Sequence, residues 1–286
     1  MAKVAVVIGT RDRPTELALL LQSLRTQTFQ NFDIFILEDQ SGTSWQNYHF
    51  LNMMINRVKL ENHRVTIKRT PYHYGVSKAR EESVQMALKS KTYYDYLCRV
   101  DDDVILEPDF IERLIKVIEK GYDIASGVTP QFISTFKRDV DKVDIANKLI
   151  IKDGVRVYDG DDCGLEYIGE KIVPCHHFRS SALIKREVHE QVKYYPTKLT
   201  KHGFREETMF SLNAALKGFK MGVDLQAIAW HLCTPSGGER FADQQQLAQF
   251  NQEVLNDFIK TTPEFNEMYK GEVSKLERMK ETNMAK

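Results

Sequence analysis

The chain has 286 residues, of which 42% are hydrophobic, and this suits one large or two small domains with an ordinary buried core. Its 40 basic and 40 acidic residues cancel, so net charge gives no support for a nucleic-acid or membrane-surface partner. The cysteines are widely separated and form no CxxC pair, which predicts neither a zinc finger nor a disulfide framework. They are Cys98, Cys163, Cys175 and Cys233.

The apolar run Val4 to Ile8 near the N-terminus is too short for a signal sequence or a membrane span. No later run reaches the length of a spanning helix. The sequence therefore predicts a cytoplasmic protein with reduced thiols.

Strands and helices are predicted to alternate over the first 120 residues. Apolar runs indicate strands, and leucines at helical spacing follow Pro14. Strand, helix and strand at this spacing form a βαβ unit, which is almost always parallel and right-handed. The predicted strands are 3–9, 32–37, 65–68 and 94–100, and the predicted helices are 14–27, 77–89 and 110–120.

After Gly127 this α/β rhythm breaks, and the next segment is rich in charge. The stretch IIKDGVRVY is typical of a hairpin. Gly218 is a good C-terminal cap for a helix that starts at Glu206. The remaining predictions are a strand and helix within 177–190, a strand over 220–224 and a charged helical tail from 243.

Polar side chains follow four of the predicted strands, at the point where each strand ends. In open parallel sheets, ligands bind at the carboxyl ends of the strands. One shared site is therefore expected to collect Thr10-Arg11-Asp12, Glu38-Asp39, the segment 69–75 and Asp101-Asp102-Asp103.

The last of these groups, the acidic triplet Asp101–Asp103, ends a buried strand. Three crowded carboxylates repel one another unless a cation neutralises them, and a hard divalent ion with oxygen ligands, Mg²⁺ or Mn²⁺, would do so. The alternative is a solvated acidic turn that caps the next helix, which Pro108 or Asp109 would start.

The stretch VVIGTRDRPTELALLLQSLRTQTFQNFDIFILEDQSG resembles the opening of the family 2 glycosyltransferases, which are inverting nucleotide-sugar enzymes with a GT-A fold. Later landmarks follow in order up to about residue 233: Gly75 with Ala79-Arg80, the acidic triplet, Glu206-Glu207 and Trp230-His231. The resemblance implies an α/β GT-A domain with a mainly parallel sheet. Its nucleotide-sugar half would be 1–125, its acceptor and catalytic half 126–233, and a loop with a helical tail would occupy 234–286.

Three positions depart from the family pattern. Glu38-Asp39 stands where two aspartates are more common, Glu206-Glu207 stands where Glu-Asp is usual, and Glu81 stands where asparagine is usual. Both acid pairs keep the charge of the family pattern, but their side chains differ from it in length.

For the metal, the resemblance implies that Asp101 and Asp103 are the outer members of an Asp-x-Asp motif, with Asp103 as the direct ligand. Asp102 is assigned to the donor site, although a solvated outward side chain would serve equally well there. His231 would complete the coordination of Mn²⁺ or Mg²⁺. The alternative is a structural histidine.

For the nucleotide sugar, Asp39 is expected to accept the imide N–H of uracil, beside Glu38. Thr10, Arg11 and Asp12 would contact the base, ribose or phosphate, and Asp12-Arg13-Pro14 would equally suit a helix start. Arg80, on the helix after Gly75, would reach the donor sugar or the diphosphate. Its alternative is a surface ion pair with Glu81 or Glu82.

For the chemistry, the resemblance implies that Glu207 is the base that deprotonates the acceptor and that Glu206 orients it. The alternative is that both glutamates only favour a helix N-terminus. The Gly-rich segment 234–241 would close over the donor with Arg240 on the diphosphate, or it is a plain connector.

The expected function is thus a metal-dependent inverting transfer of a sugar, from UDP-sugar by default, to an acceptor hydroxyl. A glycan, a lipid-linked sugar, a protein and a modified nucleic-acid base stay open as acceptors. The competing hypotheses are a sugar-phosphate nucleotidyltransferase and a non-catalytic nucleotide-sugar-binding subunit.

Overall fold

The computed structural model describes residues 2–133, 149–152, 155–158, 171–194, 199–234, 237–238, 243–265 and 267–268. Its first half alternates strands and helices as predicted. The elements are β1 (Val4–Thr10), α1 (Pro14–Arg25), β2 (Phe32–Glu38), a 3₁₀ turn (Trp45–Asn47), α2 (His49–Leu60), β3 (Val65–Arg69), α3 (Val76–Leu88), β4 (Tyr96–Asp101), β5 (Val104–Leu106), α4 (Phe110–Glu119) and β6 (Ile124–Val128).

Among the described residues, the second half contains four short strands, the 11-residue strand β11 and three further helices. These elements are β7 (Leu149–Lys152), β8 (Val155–Tyr158), β9 (Ile172–Pro174), β10 (Ala182–Lys185), α5 (Arg186–Gln191), α6 (Glu206–Leu216), β11 (Met221–His231) and α7 (Gln244–Lys260). β7 and β8 form the predicted hairpin. The sequence patterns did not predict α2, β5, β6 or β9, and β11 runs seven residues past the predicted end of that strand.

One mixed sheet of nine strands organises the described part of the chain, in the order β3-β2-β1-β4-β10-β6-β11-β5 with β9 also paired to β11. β3, β2, β1 and β4 are parallel neighbours, as are β6 and β11. β10 is antiparallel to both of its neighbours, β4 and β6. Because β6 spans residues 124–128, the predicted division at 125/126 falls inside a strand of the shared sheet.

Helices cover both faces of this sheet, so β1 is buried on both sides, as is typical of parallel strands. Val4, Val6 and Ile8 pack in one hydrophobic cluster with α1, α2 and α4. Ala5 and Val7 point to the other face and share a cluster with α3, α5 and α6. Burying these side chains supplies the main favourable free energy of folding.

The tail helix α7 packs against α6. Leu255 and Ile259 of α7 form a separate buried cluster with Met209, Leu212 and Phe265. Among the described residues there is no helix with the length and apolar character needed to cross a membrane.

Candidate active site

A cavity of about 300 Å³ opens at the carboxyl ends of β1 and β4, beside the start of α6. The predicted site residues that line it are Thr10, Arg11, Asp39, Arg80, Asp101, Asp102, Asp103, Glu206, Glu207 and His231. Other lining residues include Arg13, Val76, His202, Phe204 and Gly238. Strand ends that lie far apart in the chain thus converge on one site, as the parallel sheet predicts.

Two members of the acidic triplet are buried and Asp101 is partly buried, so the solvated-turn interpretation is wrong. Asp102 is 6% exposed and Asp103 is 4% exposed, because the turn after β4 folds under the start of α1. Asp109 does precede α4, but its side chain does not cap that helix. Its Oδ2 instead accepts a hydrogen bond of 2.6 Å from Arg113 Nε.

Asp102 and Asp103 share one cation, the guanidinium of Arg13. Arg13 Nη1 lies 3.0 Å from Asp102 Oδ1 and 2.8 Å from Asp103 Oδ2. Burial raises the pKa of the Asp102 carboxyl to about 6, and the negative charge of Asp103 also raises it, against the opposing effects of Arg13 and Thr10. Asp102 is therefore not the outward, solvated side chain of the alternative.

Asp101 is held by a different arginine. Arg80 on α3 donates to Asp101 Oδ1, and its Nε lies 2.6 Å from Glu206 Oε1. Burial acts to raise the pKa of Asp101, but Arg80 and Arg99 outweigh it and hold that pKa far below its usual range. The alternative surface pair with Glu81 or Glu82 is wrong for Arg80, which is directed into the cavity.

Arg99 is a central residue that the sequence analysis missed. Its side chain in β4 is 1% exposed, lies 2.8 Å from Glu206 Oε1 and donates a hydrogen bond of 2.9 Å to Glu207 Oε1. The rings of Phe178 and Tyr194 each lie 5.4 Å from its guanidinium carbon. A lone arginine inside the apolar strand YLCRVD was the available signal, because a buried charge needs partners.

The two glutamates at the start of α6 have different environments. The Glu206 side chain is 1% exposed, and this burial raises its pKa to about 7 although Arg99 and Arg80 act to lower it. The Glu207 side chain is 24% exposed and faces the cavity. Arg205 precedes them with φ of 76°, a left-handed conformation that turns the chain into the helix.

His231 meets Asp103 at the far end of the cavity, because β11 pairs with β5 and aligns His231 with Val104. His231 Nε2 lies 3.3 Å from Asp103 Oδ2, and this hydrogen bond raises the pKa of the imidazole, against burial. The expectation that these two side chains lie together is fulfilled in the structure, while their binding of a metal stays a prediction.

The donor chemistry of this pair fits a divalent ion, since carboxylate oxygen and imidazole nitrogen both suit Mn²⁺. The cavity is lined by six carboxylates and three arginines, with Arg99 beside it as a fourth, and this excess of carboxylates leaves negative charge for a cation to balance. The Asp101 carboxylate is directed to Arg80 rather than to His231. No group of three or more His, Cys, Asp or Glu side chains within the described residues is arranged to hold a metal.

Asp39 lines the cavity and also fixes the segment that follows β3. Its Oδ1 accepts hydrogen bonds from Thr70 Oγ1 at 3.0 Å and from the Tyr74 N–H at 2.7 Å. Its Oδ2 accepts one of 2.9 Å from the N–H of Gly75, the residue that precedes α3. Any contact of Asp39 with a nucleobase would therefore come in addition to this structural role.

Three predicted donor contacts do not line the cavity. Glu38 is 2% exposed and binds the Trp45 N–H at 3.0 Å and Arg69 at 3.3 Å. Asp12 Oδ1 accepts a hydrogen bond of 2.6 Å from Gly42 N–H, and Arg13 rather than Asp12 directly precedes α1. Gly75 directly precedes α3. These residues shape the loops around the cavity and do not face it.

Arg11 lines the cavity and contacts His73, with Nη1 2.7 Å from His73 Nε2. The Gly238 N–H donates a hydrogen bond of 2.7 Å to the Arg11 carbonyl oxygen. This contact places part of the predicted donor-closing segment beside β1. Arg240, which was predicted to bind the diphosphate, lies outside the described residues.

The mostly parallel sheet with helices on both faces defines an α/β fold. The chain resembles crystal structures of S. aureus TarS: one matches with a TM-score of 0.55 and 12% identity over 82% of this chain and 37% of that chain. TarS 1-349 in complex with UDP-GlcNAc matches with a TM-score of 0.56 and 13% identity over 87% of this chain and 64% of that chain. The predicted GT-A fold is confirmed.

The sequence profile described as Glycosyl transferase family 2 matches residues 5–191, so this chain belongs to that family. An uncharacterized glycosyltransferase of Haemophilus influenzae is 26% identical over 126 residues, which cover 42% of this chain and 36% of that protein. The chain thus matches little more than a third of the length of that curated relative. The resemblance stated from the motifs is confirmed.

Proposed function

We propose that this protein transfers a sugar from a nucleoside-diphosphate sugar, with UDP-sugar as the first donor to test, to an acceptor hydroxyl with inversion. The observation that carries the proposal is the convergence of Glu207 and the acidic triplet on one cavity, joined by Arg99 and Arg80. Family membership and the UDP-GlcNAc bound to TarS support a nucleotide sugar as the donor.

Glu207 is the proposed base. Its carboxylate is the more exposed of the α6 pair, so an acceptor hydroxyl can reach it from the cavity. It accepts the hydroxyl proton as the acceptor oxygen bonds to the anomeric carbon and the bond from that carbon to the diphosphate breaks. Arg99 holds Glu207 in place, and Glu206 contacts both Arg99 and Arg80.

Asp103 and His231 are the residues that would hold a divalent cation. When bound, Mn²⁺ or Mg²⁺ would supply positive charge to offset the negative charge that develops on the leaving diphosphate. Arg11 and Arg80 line the same cavity and offer guanidinium groups to phosphate oxygens. Asp39 offers its carboxylate to the nucleobase of the donor.

The proposal is tested by incubating the protein with a set of nucleotide sugars, in EDTA, Mn²⁺ or Mg²⁺, and measuring released nucleoside diphosphate and thermal stabilisation. We expect one donor to stabilise the protein and to release its diphosphate when an acceptor is present. Glu207→Gln and Asp103→Asn should lose release, and Glu253→Gln, on an exposed face of α7, should keep it. NMR of the product's anomeric proton tests inversion.

Two further outcomes separate the competing hypotheses. Pyrophosphate release from UTP and a labelled sugar phosphate would indicate a nucleotidyltransferase and contradict sugar transfer. Full activity of the native pathway with Asp103→Ala and Glu207→Ala would indicate a non-catalytic subunit.

A further inference from the structure

Arg13 occupies an unusual position at the acidic triplet. It precedes Pro14, the first residue of α1, and its side chain is only 8% exposed. The guanidinium crosses to the turn between β4 and β5, where a single nitrogen, Nη1, contacts Asp102 and Asp103 at 3.0 and 2.8 Å. One cation thus serves two buried carboxylates, which is the arrangement that the sequence analysis assigned to a metal.

One oxygen of Asp103 contacts both Arg13 and His231, the other predicted metal ligand. Asp103 Oδ2 lies 2.8 Å from Arg13 Nη1 and 3.3 Å from His231 Nε2. A metal held by Asp103 and His231 would lie against this oxygen and therefore close to the guanidinium. Two cations at this separation in a buried site repel strongly, so both cannot keep their full contacts with Asp103.

The surrounding backbone also encloses Arg13. A Cβ atom added at Gly238 would lie 2.8 Å from Arg13 Cζ, and one added at Gly237 would lie 2.6 Å from Arg13 Cγ. The two glycines thus let the chain after β11 cover the side chain in the position where it meets the triplet. This close packing indicates that the surrounding backbone holds the Arg13 side chain in a defined position, unlike a surface ion pair.

We propose that Arg13 is the resident counter-cation of the acidic triplet in the metal-free protein and that it competes with a divalent metal for Asp103 Oδ2. Metal binding then requires the guanidinium to leave this oxygen. The inference rests on the proposed function in taking Asp103 and His231 as the metal ligands. It adds that the chain itself limits metal affinity at this site.

The test measures Mn²⁺ alone, without nucleotide sugar, by calorimetry and by the EPR signal of free Mn²⁺. We expect Arg13→Gln to bind Mn²⁺ at least tenfold more tightly than the wild type, because the competing cation is gone and the carboxylates remain. Arg25→Gln is the matched control, since Arg25 is the last residue of α1, the helix that Arg13 precedes, and it pairs with Glu61. It should bind Mn²⁺ like the wild type.

A second readout is thermal unfolding in EDTA and in Mn²⁺. Arg13→Gln should unfold at a lower temperature than the wild type in EDTA, and Mn²⁺ should raise its midpoint by more than it raises that of the wild type. Unchanged or weaker Mn²⁺ binding by folded Arg13→Gln overturns the proposal. If this variant does not fold, the double variant Arg13→Gln/Asp102→Asn decides, because it removes the guanidinium together with one of its two buried carboxylates. Mn²⁺ binding tighter than that of Asp102→Asn alone supports the competition, and equal or weaker binding overturns it.

Failure of this inference is distinct from failure of sugar transfer. Wild-type protein that releases nucleoside diphosphate, together with unchanged Mn²⁺ affinity in Arg13→Gln, overturns only the role of Arg13. Absence of both thermal stabilisation and nucleoside diphosphate release with every donor overturns sugar transfer, while the comparison of Mn²⁺ affinities still decides whether Arg13 and the metal compete.

Discussion

Arg99 in the middle of the sheet donates a hydrogen bond of 2.9 Å to the carboxylate of Glu207 at the start of α6. The same guanidinium lies 2.8 Å from Glu206 and 3.6 Å from Asp101. One buried cation therefore connects the acidic triplet with the proposed base. The position of Glu207 depends on a strand residue, which is more rigid than a loop.

Removing Arg99 should destabilise the protein strongly, because buried Glu206 would keep Arg80 but lose the second of its two arginine contacts, and Glu207 would lose its contact with Arg99. We expect Arg99→Met to lower the free energy of unfolding by about 3–5 kcal/mol, and Arg99→Lys to lose less. Arg57→Met is the control, since its side chain is 58% exposed in a pair with Glu61. That change should cost less than about 1 kcal/mol. Urea unfolding measures all three, and equal losses in Arg99→Met and Arg57→Met would contradict the central role of Arg99.

The metal-free protein should lose stability as pH rises from about 4.5 to 7, because of Glu206. Burial raises the pKa of Glu206 from 4.5 to about 7, so over this range the folded state binds a proton that the unfolded state has released. The expected loss is on the order of 3 kcal/mol.

Urea unfolding in EDTA across this pH range tests the effect. Glu206→Gln should flatten the slope, and Glu253→Gln should leave it unchanged. A slope that persists in Glu206→Gln would assign the effect to other groups, of which Asp102, with a pKa raised to about 6 by burial, is the first to test.

Glu207→Gln should separate catalysis from donor binding. Loss of a general base lowers turnover by about 10²- to 10⁴-fold. The neutral amide still accepts the hydrogen bond of Arg99, so the fold and the stabilisation by nucleotide sugar should persist. Steady-state release of nucleoside diphosphate and thermal unfolding with donor measure the two effects. Turnover within a few-fold of the wild type would remove Glu207 from the role of base.

Gly75→Ala should destabilise the loop around Asp39 through two effects. Gly75 has φ of 83°, and an added Cβ would lie 2.8 Å from Lys201 Cα, which is backbone and cannot move easily. Gly121→Ala is the matched control, since Gly121 has φ of 95° with nothing within 4 Å of its Cβ position.

We expect Gly121→Ala to lower the free energy of unfolding by about 1 kcal/mol, because of the positive φ alone. Gly75→Ala should lower it by clearly more. Thermal unfolding compares the two variants. Equal losses would mean that the segment containing Lys201 adjusts freely to the added methyl group.

Much of the fold could be predicted because its signals are local. The apolar runs of β1 and β2 and the leucines of α1 report burial within a few residues. The insertion of β10 between β4 and β6 was not predictable in this way, since antiparallel pairing of β10 with both neighbours depends on contacts between distant segments. α2 was overlooked, although Leu51, Ile55 and Val58 carry the helical spacing.

The same contrast between local signals and contacts of distant segments applies to the candidate site. Polar residues at strand ends were recognisable because parallel strands place their carboxyl ends at one edge of the sheet. The partners of those residues were not recognisable. The triplet was predicted to need an external cation, whereas Arg13 and Arg80 already contact its carboxylates.

The sequence by itself determined that this chain belongs to a family of α/β enzymes and which strand ends carry carboxylates, because motifs and hydrophobic periodicity are written in neighbouring residues. Only the tertiary structure decided which charges meet. Arg13 and Asp102 are 89 positions apart, and Arg99 and Glu207 are 108 apart. Such contacts follow from strand order and from the packing of helix ends against the sheet, and burial then decides how strongly each pair interacts.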